Sequence, residues 1–220
     1  MALQGGVSEH QHILEQLGAT VRLVRRAEHL ANLDGIILPG GESTTMTKLL
    51  HLGDLFAPLQ QAIRNGLPTY GTCAGMILLA GELDVLAADV RRNAFGRQTE
   101  SFEIDLDIAG VGADVHAVFI RAPWVESVAD GVDILGRVPA ELAPVPTALR
   151  EVEARAGKSA GTQQKRDHIV AVQQRGLQDK ENILATSFHP EVTYDLRVHE
   201  YFLNEFVGRQ QSKLHGRAKK

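Results

Sequence analysis

A single cysteine, Cys73, serves all 220 residues, so no internal disulfide can form, and a thiol that is to stay usable is expected in a reducing, cytoplasmic compartment. Positive charge is not in excess: the formal net charge is −4, which excludes a general attraction for nucleic acid or an anionic membrane surface. No apolar run approaches a membrane span, and the N-terminus has neither a basic lead nor an apolar signal core. A phosphate-cradling Gly-rich loop with its lysine is missing. None of the nine histidines has zinc-site spacing to other ligands, and His10 and His12 fall on different faces of a first helix. Neither a metal nor a cofactor is therefore expected. No internal repeat is present.

What remains is an ordinary apolar content of 44% arranged as alternating strands and helices. This pattern indicates an α/β fold with a mostly parallel sheet covered on both faces. Residues 8–17 read as an amphipathic helix with Ser8 and Gln11 as a capping box and Gly18 as its stop. A strand over 19–24 and a short one over 35–38 follow. The latter ends at Pro39-Gly40-Gly41, after which Ser43 or Thr44 caps a helix through Leu50. A further helix over 55–64 leads into an apolar strand at 67–70. Strands continue through 102–135, including 117–120, and again at 169–172 and 183–188, before a last helix over 201–207. Between 139 and 167, prolines precede a charged stretch with no sustained apolar face, a long surface loop or insertion. Residues 1–207 are thus one domain, and 208–220 form a basic, disordered tail.

The chemistry is concentrated in two short motifs. Gly71-Thr72-Cys73-Ala74-Gly75 stands between an apolar strand and the helix-forming run Met76-Ile77-Leu78-Leu79-Ala80, the arrangement of a nucleophile elbow. Its glycines permit a strained turn, and the helix start stabilises a thiolate. His189-Pro190-Glu191 follows the last strand. The residue before proline is extended, and side chains at i and i+2 then share a side. Glu191 is thereby placed to hold one imidazole nitrogen of His189 while the other meets the thiol, so Cys73, His189 and Glu191 form a candidate triad.

An acyl-transfer site also needs donors for the oxygen that becomes negative. The N–H of Ala74 follows from the elbow, and Gly41 in Pro39-Gly40-Gly41-Glu42-Ser43 can supply the second. The arginine-rich segments 91–98 and 119–123 could clamp a carboxylate or could simply pair at the surface; spacing alone leaves both readings open.

These motifs carry a resemblance. Leu3-Gln4-Gly5-Gly6 with Glu9-His10, Leu38-Pro39-Gly40-Gly41-Glu42-Ser43-Thr44-Thr45, the cysteine elbow, Arg92-Asn93-Ala94-Phe95-Gly96-Arg97-Gln98 with Ser101-Phe102-Glu103, Phe119-Ile120-Arg121-Ala122-Pro123 and Ser187-Phe188-His189-Pro190-Glu191 resemble the PdxT/SNO family of class I (triad) glutamine amidotransferases, the glutaminase subunits of pyridoxal 5′-phosphate synthases. The resemblance implies a three-layer, flavodoxin-like fold and hydrolysis of L-glutamine to glutamate and ammonia. Cys73 would attack, His189 would shuttle the proton and Glu191 would orient it. By the same likeness, Gly41, Glu42, Ser43, Arg92, Ile120 and Arg121 would bind glutamine. Ammonia would pass to a separate synthase (lyase) subunit within a large ring-shaped hetero-oligomer, for vitamin B6 synthesis.

Three departures accompany it. Family members begin with a strand of the Ile-Gly-Val-Leu type ahead of Leu-Gln-Gly, whereas only two residues stand between Met1 and Gln4, so a first core strand is expected to be lacking. The stretch from the cysteine helix to Arg92 is short, and 139–167 reads as inserted. Two alternatives compete with the main reading: a glutaminase for another amidotransferase, and a truncated binding isoform without catalysis.

Overall fold

The computed structural model describes residues 1–92, 101–143, 167–175 and 182–208. Residues 93–98 of the arginine motif, most of the expected insertion and the basic tail lie outside the described residues. Among the described residues no helix is long and apolar enough to cross a membrane.

The chain opens with α1 (Val7–Gln16), a 3-10 turn (Ala27–Leu30), β1 (Ile36–Leu38), α2 (Ser43–Leu52), α3 (Phe56–Arg64), β2 (Thr69–Thr72) and α4 (Ala74–Ala80). The strands β3 (Ala88–Arg91), β4 (Phe102–Ile108), β5 (Gly112–Phe119), β6 (Trp124–Val128), β7 (Val132–Val138), β8 (His168–Gln174) and β9 (Ile183–Thr186) follow. A 3-10 turn (Pro190–Val192), α5 (Arg197–Phe202) and a π-helical turn (Leu203–Gly208) complete the described chain.

Among the described residues seven strands form one sheet in the order β1-β2-β9-β8-β6-β3, with β7 also paired to β8, while β4 and β5 make a separate antiparallel pair. The parallel part is β1-β2-β9, and the strands beyond β9 run antiparallel to their neighbours. Strand alternation feeds two cores. Ile36, Leu38, Ile183 and Ala185 face α2, α3 and α4 through Met46, Leu50, Leu59, Ile63 and Met76. Ile37, Tyr70 and Leu184 face the opposite side, with Phe119, Phe188 and Phe202. The three layers follow from period-two burial of strands covered on both faces.

Local details depart from the sequence reading where tertiary partners intervene. No capping box forms at α1: Gly6 is the N-cap, and Ser8 lies inside the helix with its hydroxyl on Glu9. Neither Ser43 nor Thr44 caps α2. Glu42 does, its carboxylate accepting from the backbone N–H groups of Thr44 and Thr45, because a carboxylate satisfies two free donors of a helix start at once. The last helix starts earlier than expected, at Arg197, and closes in a π-helical turn.

The expected strand over 19–24 does not form. Strand identity requires a ladder, and β1, at the end of the sheet, has no strand between itself and that segment. Met1 and Ala2 reach into the gap: the Met1 amine donates to the Ile37 carbonyl at 2.5 Å, and the Ala2 N–H to the Val24 carbonyl at 2.8 Å. Beside them lies a cavity of about 470 Å³, lined in part by Val21, Leu23, Ile36 and Ile37. Burial lowers the Met1 amine to about 5, so its charged form is disfavoured there. Placing an Ile-Gly-Val-Leu-type segment ahead of Met1 converts this amine into an amide and supplies ladder bonds to β1 and to residues 19–24. The melting temperature is expected to rise by at least about 4 °C, the shift that roughly 1–2 kcal/mol produces in a chain of this size. Thermal denaturation of the two proteins side by side checks this, and equal midpoints would show that the gap costs nothing.

Candidate active site

The parallel strands converge on Cys73. All four residues of β2 are buried, and the chain then turns sharply, with Cys73 at φ 47° and ψ −101°, directly into α4. The turn is pinned by the Cys73 N–H, which donates to the Thr186 carbonyl of β9 at 2.8 Å. The flanking glycines are there for packing. A β-carbon on Gly75 would collide with the Leu38 carbonyl of β1, and one on Gly71 would collide with Leu79 and Gly75. Cys73 thus caps an α-helix whose first N–H, that of Ala74, has no partner within the helix.

His189 follows β9 and is held by its N–H on the Val118 carbonyl of β5 at 2.9 Å. Its Nδ1 lies 2.8 Å from Glu191 Oε1. The pair meets, though not along an extended strand, since Pro190–Val192 is a 3-10 turn that folds the Glu191 side chain back beneath the imidazole. Glu191 is only 5% exposed. Burial by itself would lower the His189 pKa, but hydrogen bonds to Cys73 and Glu191, with the charges on both, outweigh it and raise the ring to about 10. With Nδ1 taken by the carboxylate, Nε2 is the nitrogen left for the thiol. The geometry holds an imidazolium between the Cys73 sulfur and a buried carboxylate.

The Gly40-Gly41 loop closes one side. A β-carbon on Gly40 would overlap the His189 ring, so only glycine lets this backbone lie against the imidazole. The Gly40 N–H is committed to Thr72 Oγ1 at 2.8 Å, and the Gly40 carbonyl accepts from the Gly6 N–H at 3.1 Å. Beyond it, the Glu42 N–H donates to Gln4 Oε1 at 2.8 Å. The Glu42 carboxylate accepts from the Thr45 hydroxyl and from the Thr45 and Thr44 N–H groups, which lower it to about 2, so it shapes the loop. Ser43 is buried, and its hydroxyl accepts from Arg92 at 2.5 Å; the same guanidinium nitrogen reaches Thr44 Oγ1 at 3.2 Å.

On the other side, the Ile120 carbonyl faces Cys73 Sγ at 3.9 Å, and Arg121 follows with φ 48° in an exposed turn. Of the residues singled out in the sequence, Ala74, His189 and Ile120 therefore adjoin the Cys73 thiol, and Glu191 lies behind His189. Gly41, Glu42, Ser43 and Arg92 form a connected group at the start of α2. Sequence reasoning assigned no role to Gln4, His10 or Thr72, which support this machinery from below. The signal for His10 was its place with Val7 and Leu14 on one helical stripe, an apolar face carrying one polar residue.

Comparison with known proteins gives the family. The model of the SNO glutamine amidotransferase family matches residues 1–152. A pyridoxal 5′-phosphate synthase subunit PdxT from Rhodococcus opacus (strain B4) is 48% identical over 215 residues, covering 93% of this chain and 94% of that protein. Its counterpart from Saccharopolyspora erythraea is 50% identical over 220 residues, covering 92% and 91%. A crystal structure of a glutamine amidotransferase superposes with a TM-score of 0.73 at 40% identity, covering 94% of this chain and 96% of that one. With more than half of its length matched by the family model, and near-half identity to relatives along almost all of it, the chain belongs to the SNO glutamine amidotransferase family.

Proposed function

We propose that Cys73, His189 and Glu191 carry out the glutaminase reaction of this family, and that residues 1–207 act as one domain in doing so. The enzyme hydrolyses the side-chain amide of L-glutamine, and the ammonia serves pyridoxal 5′-phosphate synthesis. The observation that carries the residue assignment is the His189 imidazole, bonded at Nδ1 to buried Glu191 and raised to about 10 by Cys73 and Glu191 together.

In this reading the Cys73 thiolate attacks the amide carbon, forming a C–S bond and a tetrahedral oxyanion that faces the N–H groups of Gly41 and Ala74. The Nε2 proton of His189 passes to the amide nitrogen, the C–N bond breaks, and ammonia leaves a thioester. Water then attacks the thioester, giving its proton to His189 Nε2. The C–S bond breaks, glutamate departs and the thiolate returns. Glu191 keeps Nδ1 protonated throughout and stabilises the imidazolium. Gly41, Glu42 and Ser43 with Arg92 on one side, and Ile120 and Arg121 on the other, bind the amino-acid end of glutamine, the arginines suiting its α-carboxylate.

The names of the relatives, each a pyridoxal 5′-phosphate synthase subunit, support a separate synthase subunit as partner; in this reading that subunit accepts the ammonia within a large hetero-oligomer. A usable thiolate suits a reducing cytoplasm, and the net charge of −4 suits neither nucleic acid nor membrane as a partner.

Cys73→Ala and Cys73→Ser are expected to lower ammonia release by at least about 10³-fold with glutamine binding preserved, since the elbow accepts a small side chain but the chemistry requires the thiolate. A coupled ammonia assay with the cognate synthase subunit checks this; near-wild-type release by either variant would refute the nucleophile. His189→Asn should match the loss of the nucleophile, whereas Glu191→Gln should retain more turnover, because it orients the base without transferring the proton. Single-turnover rates in the opposite order would exchange the two roles.

The pH behaviour follows from the raised pKa. His189 keeps its proton below about 10 and loses it above. Glu191→Gln removes a negative charge that favours the imidazolium, so the titration midpoint should fall toward the ordinary histidine value. Ring NMR of histidine-labelled protein reads this directly, and an unchanged midpoint would mean that Glu191 has no part in holding the proton.

A further inference from the structure

Behind the triad lies a second line of buried polar groups that the reaction does not use directly. His10, on the inward face of α1, is 4% exposed, and His199, in α5, is fully buried. His10 Nδ1 is 2.8 Å from His199 Nε2. His10 Nε2 is 3.2 Å from Thr72 Oγ1 and 3.6 Å from Glu191 Oε2. Thr72 Oγ1 in turn accepts the Gly40 N–H, and Glu191 Oε1 takes His189. Two buried atoms at the ends of this line, His199 Nδ1 and Glu191 Oε2, make no hydrogen bond.

Those two atoms decide where the protons sit. Burial disfavours the charged form of both rings, lowering His199 to about 4 and His10 well below its ordinary value, so each carries one ring proton at neutral pH. A buried N–H without an acceptor is rarer and costlier than an unused lone pair. The His199 proton is therefore on Nε2, donated to His10 Nδ1, and the His199 Nδ1 left without a partner is only a lone pair. His10 then carries its proton on Nε2, the nitrogen that faces Thr72 and Glu191, because the negative Glu191 oxygen 3.6 Å away favours an N–H there over a lone pair. Every N–H along the line points toward the active site, and the last one faces the carboxylate oxygen that lacks a hydrogen bond.

We propose that His10 is a positioning residue for glutamine hydrolysis: its Nε2–H orients the Thr72 hydroxyl and the Glu191 carboxylate, and through them sets the Gly40 backbone and the His189 ring. The inference rests on the triad reading of the preceding section. One side chain governs both halves of the site, because Thr72 anchors the loop that carries Gly41 and Glu191 anchors the base. His199 keeps His10 in the tautomer that can do this. Unlike a residue that only fills space, His10 must present a donor at the Nε2 position.

Glutamine and asparagine separate that requirement from packing. His10→Gln places an amide nitrogen near the Nε2 position, whereas His10→Asn keeps a polar group near Nδ1, facing His199, and cannot reach Glu191. In the ammonia assay with the cognate synthase subunit, His10→Gln should keep kcat within about threefold, while His10→Asn should lose about 30-fold in kcat with little change in KM, the scale of a small misplacement of catalytic groups. The His189 NMR titration should fall in His10→Asn and hold in His10→Gln. Equal kcat values for the two variants, or a loss confined to KM, would overturn the proposal. Should His10→Asn fail to fold, Thr72→Ser against Thr72→Val tests the same link: only the valine variant should lose turnover, and an active Thr72→Val would overturn it. Cys73→Ser, run alongside, separates the two readings. If it turns over normally, the triad assignment falls and this inference with it; if it is inactive while the His10 pair is equal, only this inference falls.

Discussion

Cys73 occupies a backbone conformation that a side chain resists, at a cost of about 1–3 kcal/mol, and the surrounding structure is arranged to hold it there. Its N–H is fixed to β9, the preceding strand is buried between two others, and α4 lies so close to β1 that Gly75 sits against the Leu38 carbonyl. Because the turn is over-determined from three directions, the sulfur is presented at the carboxyl ends of the parallel strands with little freedom to relax. The glycines flanking it serve this contact between helix and sheet. The positive φ itself is borne by the cysteine.

Around that fixed sulfur the electrostatics are assembled from groups that would be unfavourable alone. A buried carboxylate costs several kcal/mol unless paired, and Glu191 is paired with the ring it orients. His189 would lose its proton to burial without the sulfur on one side and the carboxylate on the other. The exposed Glu42, whose sequence neighbours suggest substrate contact, turns its carboxylate onto the start of α2 and so fixes the loop between Gly41 and Ser43. Charge thus does structural work at the rim and chemical work in the centre.

The N-terminal segment joins the site to the edge of the sheet. Gln4, Gly5 and Gly6 pack onto the Gly40-Gly41 loop, while Met1 and Ala2, only a few residues earlier, span the gap between β1 and residues 19–24. The sheet edge and the Gly40-Gly41 loop are therefore joined by a few residues of backbone.

Much of this was legible in the linear chain. The strand, glycine, cysteine and helix succession around Cys73 dictates an elbow by local sterics, and the two-residue interval from His189 to Glu191 brings base and carboxylate together whether the backbone is extended or, as here, a 3-10 turn. The helices and strands with strong periodicity lie close to where their apolar residues place them. What the chain could not state locally are the features that need a distant partner. Residues 19–24 have strand composition but no ladder, because hydrogen-bond partners are a property of the sheet. Helix caps went to whichever carboxylate or glycine the packed ends presented. Arg92 reaches Ser43, and His10 sits between His199 and Glu191, across separations of 49 and 189 residues. Sequence alone singled out Cys73, His189 and Glu191, since their spacing is short and their conformations are set by neighbours. Only the tertiary structure decided which polar groups the nitrogens of His10, His189 and His199 face, because burial and long-range contacts, absent from any local window, set the cost of every unpaired polar atom.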